Sequence, residues 1–158
     1  MNVNFTVFID KILSGEKRQT IRRAGKKWAN VKAGDKLTLY TGLRTKDCRK
    51  LGEAEIESID DIEMYIFKLE DGVRMYGVEL NRRGLPAAEV LSLARADGFE
   101  NIVRFLDFFQ DRYGEHFEGK IIKWKNFKAV EAQKPKKSDF VLKEVNKAMS
   151  EFLGLIFN

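Results

Sequence analysis

At 158 residues, with 44% hydrophobic and 34% charged side chains, the chain is long enough for one domain with a real core and too apolar for global disorder. Its net charge of +5 favours an acidic partner such as RNA, although basic surfaces also simply keep proteins in solution. A single cysteine, Cys48, excludes an internal disulfide, and with one histidine, His116, it cannot close a structural zinc site. No cofactor is expected.

Asp10 and Lys11 interrupt the early apolar residues, and no run nears the ~20 apolar residues that span a bilayer. The expectation is a soluble, cytoplasmic protein. Phe5, Phe8, Ile9, Ile12 and Leu13 recur at helical spacing, which predicts a helix over 3–14 closed by Gly15. Gln19, Ile21 and Arg23 then alternate with Thr20 and Arg22, a short strand with Thr20 and Arg22 on one face. A basic loop runs to Val31, the Gly34-Asp35 turn follows, and residues 36–41 alternate as a strand.

Residues 42–50 form a second basic loop, with Arg44, Lys46, Arg49 and Lys50 around Cys48. Strands are predicted at 52–59, 62–69 and 73–80, the last two joined by the Glu70-Asp71-Gly72 turn, and another turn falls at 81–84. Pro86 opens a helix that runs to Ala96. A second helix places Ile102, Phe105, Leu106, Phe109 and Tyr113 on one face and stops at Gly114. Residues 119–130 read as a closing strand, 134–137 as a basic linker, and an amphipathic helix is expected after Ser138. That division gives a domain at 1–130 and an appendage at 131–158. Many strands in meander order with few helices suggest an α+β fold built on a small mixed barrel.

The densest chemistry lies at Gly15-Glu16-Lys17-Arg18-Gln19-Thr20-Ile21-Arg22, with Arg23, Lys26 and Lys27 following and no acid from Lys17 through Lys27. So much positive charge beside a hydroxyl points to a polyanion or a nucleotide. A threonine hydroxyl is a poor nucleophile unless a base lies within reach, and a lysine serves as that base when burial or neighbouring cations lower its pKa. The simpler alternative is that Lys17 and Arg22 hold a phosphate while Thr20 is only a β-branched strand residue.

Glycine, any residue, lysine, four residues and arginine is the signature of the ASCH domain family, and Gly15, Lys17 and Arg22 satisfy it. The Gly34-Asp35 turn, the loop from Thr41 to Lys46, Asp97-Gly98-Phe99 and the Ile121–Trp124 strand also resemble the family pattern. The resemblance covers about residues 5–130. It implies a PUA-like β-barrel with surrounding helices, used for RNA and modified-nucleoside recognition. In one branch, small bacterial enzymes that deacetylate N(4)-acetylcytidine, a lysine, a threonine three residues later and a glutamate form the site. Lys17 and Thr20 match the first two positions, and Asp97 stands one methylene short at the third.

The resemblance therefore implies catalytic roles for Lys17, Thr20 and Asp97. Gly15, Arg22, Arg23, Tyr40, Arg44 and Lys46 are the expected binding residues. Asp97 has a structural alternative, because Asp-Gly-Phe-Glu also reads as a capping box for the helix that follows. Tyr40 or Trp28 is a candidate for stacking on a base, with a core role as the alternative. Cys48 is expected to be small and buried, and His116 to lie on the surface. The expected function is binding of RNA, a nucleotide or a modified nucleoside. The alternatives are an amidohydrolase, a ribonuclease, or a protein-interaction module that binds another protein through the C-terminal helix. The apolar C-terminal residues are themselves expected to dock on the barrel, with a homodimer contact as the alternative.

Overall fold

The computed structural model of the chain describes residues 1–130. The expected linker and C-terminal helix, and with them the expected dimer contact, lie outside the described residues. Seven strands and two principal helices form a mixed α+β fold. The first strand, β1 (Asn2–Phe5), is followed by a five-residue helix, α1 (Ile9–Leu13). The helix predicted over 3–14 is thus mostly strand and turn. Val3 and Phe5 are buried with Asn2 and Asn4 turned away, and this two-residue alternation outcompetes the helical spacing. Phe8, left-handed at φ 60°, starts the helix, and Gly15 at φ 79° follows it as expected.

Then come β2 (Gln19–Arg23), β3 (Lys36–Thr41), β4 (Arg49–Lys68), β5 (Arg74–Leu80), β6 (Arg83–Gly84), α2 (Ala87–Ala96), α3 (Ile102–Tyr113) and β7 (His116–Ala129). The two strands expected at 52–59 and 62–69 are one continuous strand. Asp60 and Asp61, poor strand formers, stay in the ladder because they pair with Ile121 and Lys120 of β7. Asn81 supports them too, donating to the Asp60 carboxylate at 2.9 Å and accepting from the Asp61 amide at 2.9 Å.

The long antiparallel pair β4–β7 is the spine. Its first half carries β3 on one side of β4, with β1 added in parallel, and its second half carries β5 and β6. β2 lies on the other edge of β7, Thr20 opposite Ile122. Two cores result. One packs Ile62, Met64, Ile66, Ile121 and Phe117 under α2 and α3, with Phe105 and Phe109. The other joins Leu37, Leu39, Ile56, Trp124 and Trp28 with Val3, Phe5 and Ile12.

The sheet is not a closed barrel. Among the described residues no backbone ladder joins β1 to β2. Instead, the Arg22 guanidinium donates through Nη2 to the Asn4 carbonyl oxygen at 2.7 Å. No helix among the described residues is long and apolar enough to cross a membrane.

Candidate functional site

A cleft of about 250 Å³ opens along the seam between β1 and β2, where the two cores meet. Asn4, Phe5 and Phe8 line it from β1 and the start of α1, and Phe99, Phe108, Arg112 and Tyr113 from the α2–α3 corner and α3. Lys17, Thr20, Arg22 and Asp97 lie between them. The strand pattern places Thr20 and Arg22 on the same face of β2, and Arg22 Nε donates to Thr20 Oγ1 at 3.1 Å. That contact leaves the hydroxyl proton of Thr20 free to be donated elsewhere.

Lys17 enters from the turn after α1 and is 3% exposed; Asp97, just past the end of α2, is 6% exposed. The Lys17 ammonium donates to the Asp97 carbonyl oxygen and stands 3.1 Å from Asp97 Oδ1. Oδ1 receives its charge but no aligned hydrogen bond, and the buried Gln19 Nε2 is likewise unpartnered among the described residues. Burial pushes the Asp97 carboxyl above its ordinary value, against the opposite pull of the Lys17 and Arg22 charges. Burial also pushes Lys17 down, with Asp97 opposing and the Arg22 and Lys11 charges adding to the fall. Both shifts bring the charged pair closer to its neutral, proton-transferred form. A neutral Lys17 amine is the base that a threonine or water nucleophile requires.

Asp97 does not cap α3. Asn101 is the N-cap, its Oδ1 accepting from the Arg104 amide at 2.9 Å, because five residues separate α2 from α3 and Asp97 stands at the start of that connection, not next to the first residue of α3. Asp97 instead ends α2 in right-handed conformation, followed by Gly98 at φ 108°. A Cβ at Gly98 would meet the Phe8 ring at 2.7 Å, so glycine there lets the Phe8 wall close over the pair. Lys11 adds a tie, donating to the Gly98 carbonyl at 2.9 Å.

The remaining expected residues are divided. Gly15 lines a separate groove with Arg18 and Trp124. Arg23 is exposed at the rim, its guanidinium 5.9 Å from the Tyr113 ring. Arg44 and Lys46 are exposed on the 42–48 loop, which is fastened by the Leu43 amide donating to Asn4 Oδ1 at 2.8 Å. Lys27 connects this loop to the cleft electrostatically. Burial first, then the Arg22 and Arg44 charges, lowers its pKa. Tyr40 is half-buried on β3 beside Asn4 and does not line the cleft. Trp28 is core, packed with Leu37 and Trp124, so it is not available for stacking. Cys48 is exposed rather than buried, because its loop projects beyond the β3–β4 ladder.

Several cleft residues escaped the sequence reading. Asn4 joins β1 to both Arg22 and the 42–48 loop, but nothing in its sequence context signals that role. Phe108 and Arg112 carried a readable signal, an aromatic and a cation four apart on one helix, and their side chains stack at 3.8 Å.

Outside the cleft, the β4–β7 register brings Glu63, His116 and Glu118 together, with ligand atoms within 4.8 Å of one another. Glu63 Oε1 is engaged by the Tyr65 hydroxyl and by His116 Nε2, the latter at 2.8 Å, and the His116 ring stacks on Tyr65 at 4.8 Å. His116 lies on the surface, as expected.

No protein-family model, curated protein or solved structure matches the chain.

Proposed function

We propose that the chain is an ASCH-type, PUA-like module whose seam cleft binds one nucleobase-bearing ligand: a nucleoside, a nucleotide or an unpaired RNA residue. The observation that carries this reading is a cleft walled by phenylalanine rings with cations at its base and rim. Ring faces accept any base, and the cations suit an anionic or carbonyl-rich partner. At about 250 Å³ the space is below the ~300–1,000 Å³ of pockets for drug-sized ligands, which suits a single ring system. Binding of ribonucleosides, nucleotides or short single-stranded RNA to the purified protein, salt-sensitive for the charged ligands, is the expected result. Absence of all such binding removes the proposal.

A second reading has its own support. Lys17, Thr20 and Asp97 line one cleft, and the buried pair is shifted toward proton transfer, as expected of an acid–base site. In this reading Lys17 takes the proton of a water or of Thr20, and the oxygen attacks the acyl carbon of an N(4)-acylated cytosine. The C–N bond then breaks as the Lys17 ammonium returns the proton to the leaving N4 amine, and where Thr20 has attacked, a water cleaves the resulting ester with Lys17 again as base; Asp97 orients Lys17. Lys17→Ala and Thr20→Ala are each expected to abolish acetylcytidine turnover while circular dichroism shows a folded protein. Full turnover in either variant discards the mechanism.

A further inference from the structure

The cleft has an imbalance that a neutral ligand would not use. Its lining carries three cations, Lys17, Arg22 and Arg112, against one carboxylate, Asp97. Lys17 and Asp97 neutralise each other at 3.1 Å. Arg22 spends its donors on Thr20 Oγ1 and the Asn4 carbonyl, both uncharged. Among the described residues, Arg112 has neither a carboxylate within 4 Å nor a hydrogen-bond partner. Among the described residues, therefore, two positive charges line the cleft without a counter-charge of their own.

Arg112 is also held in place. Its guanidinium lies 3.8 Å from the centroid of Phe108, one turn earlier on α3. Phe108 stands edge-on to Phe99 at 5.2 Å, and Phe99 to Phe8 at 4.9 Å. Phe8 in turn lies 5.7 Å from the Lys17 ammonium. A continuous run of aromatic contacts thus leads from the Lys17 end of the cleft to Arg112. A guanidinium stacked on a ring keeps its edge donors pointed outward, and it suits the paired oxygens of a phosphate.

We propose that Arg112 is a specificity-determining residue that receives a phosphomonoester, so that the cleft prefers a nucleoside 5′-monophosphate to the free nucleoside. This inference rests on the nucleobase reading of the cleft. The base lies against the phenylalanine wall toward Lys17 and Asp97, and the phosphate meets Arg112, with Arg22 adding its field. The matching of charge is direct, since a phosphomonoester near neutral pH carries roughly −1.5 to −2.

Isothermal titration with the four ribonucleosides, their 5′-monophosphates and inorganic phosphate tests the assignment on the full chain. Wild type is expected to bind at least one monophosphate about tenfold more tightly than its nucleoside, the difference shrinking as salt rises. Arg112→Gln should remove that preference while leaving the nucleoside affinity within about twofold, and Arg112→Lys should restore only part of it. Arg104→Gln, on the first turn of the same helix and outside the cleft, should change neither. Equal binding of nucleoside and monophosphate by wild type, or a loss shared by both ligands in Arg112→Gln, overturns the phosphate assignment and leaves the nucleobase cleft standing. Binding of inorganic phosphate alone, or of none of the probes, overturns the phosphate assignment, and the nucleobase reading falls with it when short single-stranded RNA also fails to bind.

Discussion

Two lysine–carboxylate clusters in this molecule differ chiefly in their access to water. On the sheet surface, Glu53 takes Lys36 at 2.8 Å and Lys50 at 2.5 Å, and these two hydrogen bonds hold its carboxyl down at about 2. In the seam, Asp97 has Lys17 at 3.1 Å, yet its carboxyl is pushed up because burial outweighs the partner. Water hydrates the surface charges, so partners there only add to their ionisation. In the cleft the hydration is gone and one ammonium does not replace it. A surface cluster of this kind is fixed in its ionisation at any physiological pH, whereas burial brings the charged and neutral forms of the seam pair closer together.

The comparison breaks most directly at Asp97. Asp97→Leu leaves the Lys17 ammonium buried without its counter-charge, which costs about 3–5 kcal/mol. Lys17→Met combined with Asp97→Leu should recover most of that loss, and urea unfolding of the three variants measures both. A cost under about 1 kcal/mol for Asp97→Leu would mean that the pair is hydrated after all. A smaller effect sharpens the role of Asp97. Asn101→Ala removes the true cap of α3 and should cost about 1 kcal/mol. Its pH dependence of stability should match wild type, since the Asn101 side chain engages the Arg104 amide and does not line the cleft that holds the ion pair.

The smallest expected effect is one of sign. The Glu53 pKa lies at about 2 in the folded protein, below its ordinary 4.5, so its contribution to stability is present above pH 4.5 and fades as pH falls toward 2. Asp97 runs the other way. Its folded value lies above the ordinary 3.8, so its contribution is full below that pH and is lost as pH rises through the raised value. Glu53→Gln should therefore flatten the acid limb of the urea-midpoint curve between pH 4.5 and 2 and leave the rest unchanged. An unchanged acid limb would show that Lys36 and Lys50 do not hold the carboxylate in solution.

Much of the fold was legible from local pattern. The alternation over 36–41, the hairpin around 70–72 and the apolar face of α3 each follow from a single period that tertiary packing reinforces. Two errors have a shared origin. Over 3–14 two periods overlap, and only the presence of β3 as a parallel neighbour settles which one wins. At 60–61, local propensity favours a break, and only the cross-strand partners on β7 keep the strand whole.

The site was half legible for the same reason. Lys17, Thr20 and Arg22 sit within six residues, so a motif can carry them. Asp97 belongs to the same cleft only because the α2–α3 corner returns to the seam. Its sequence context fits a cap equally well, and depth of burial, which decides between the two, is a property of the whole fold. The basic loop at 42–48 shows the converse: a high density of cations in the sequence lies on exposed backbone, tied to the site through Asn4.

The unclosed seam sets the width of the site. A finished ladder between β1 and β2 would hold the two strands at the ~4.8 Å spacing of a sheet and leave no room between them. One guanidinium, reaching from β2 to the Asn4 carbonyl, takes the place of that row of amides. The aperture is therefore bridged by a side chain rather than closed by backbone, and that side chain is itself fastened to Thr20 and stacked near Phe5. A sheet edge, ordinarily an invitation to aggregate, has here become the two lips of a pocket.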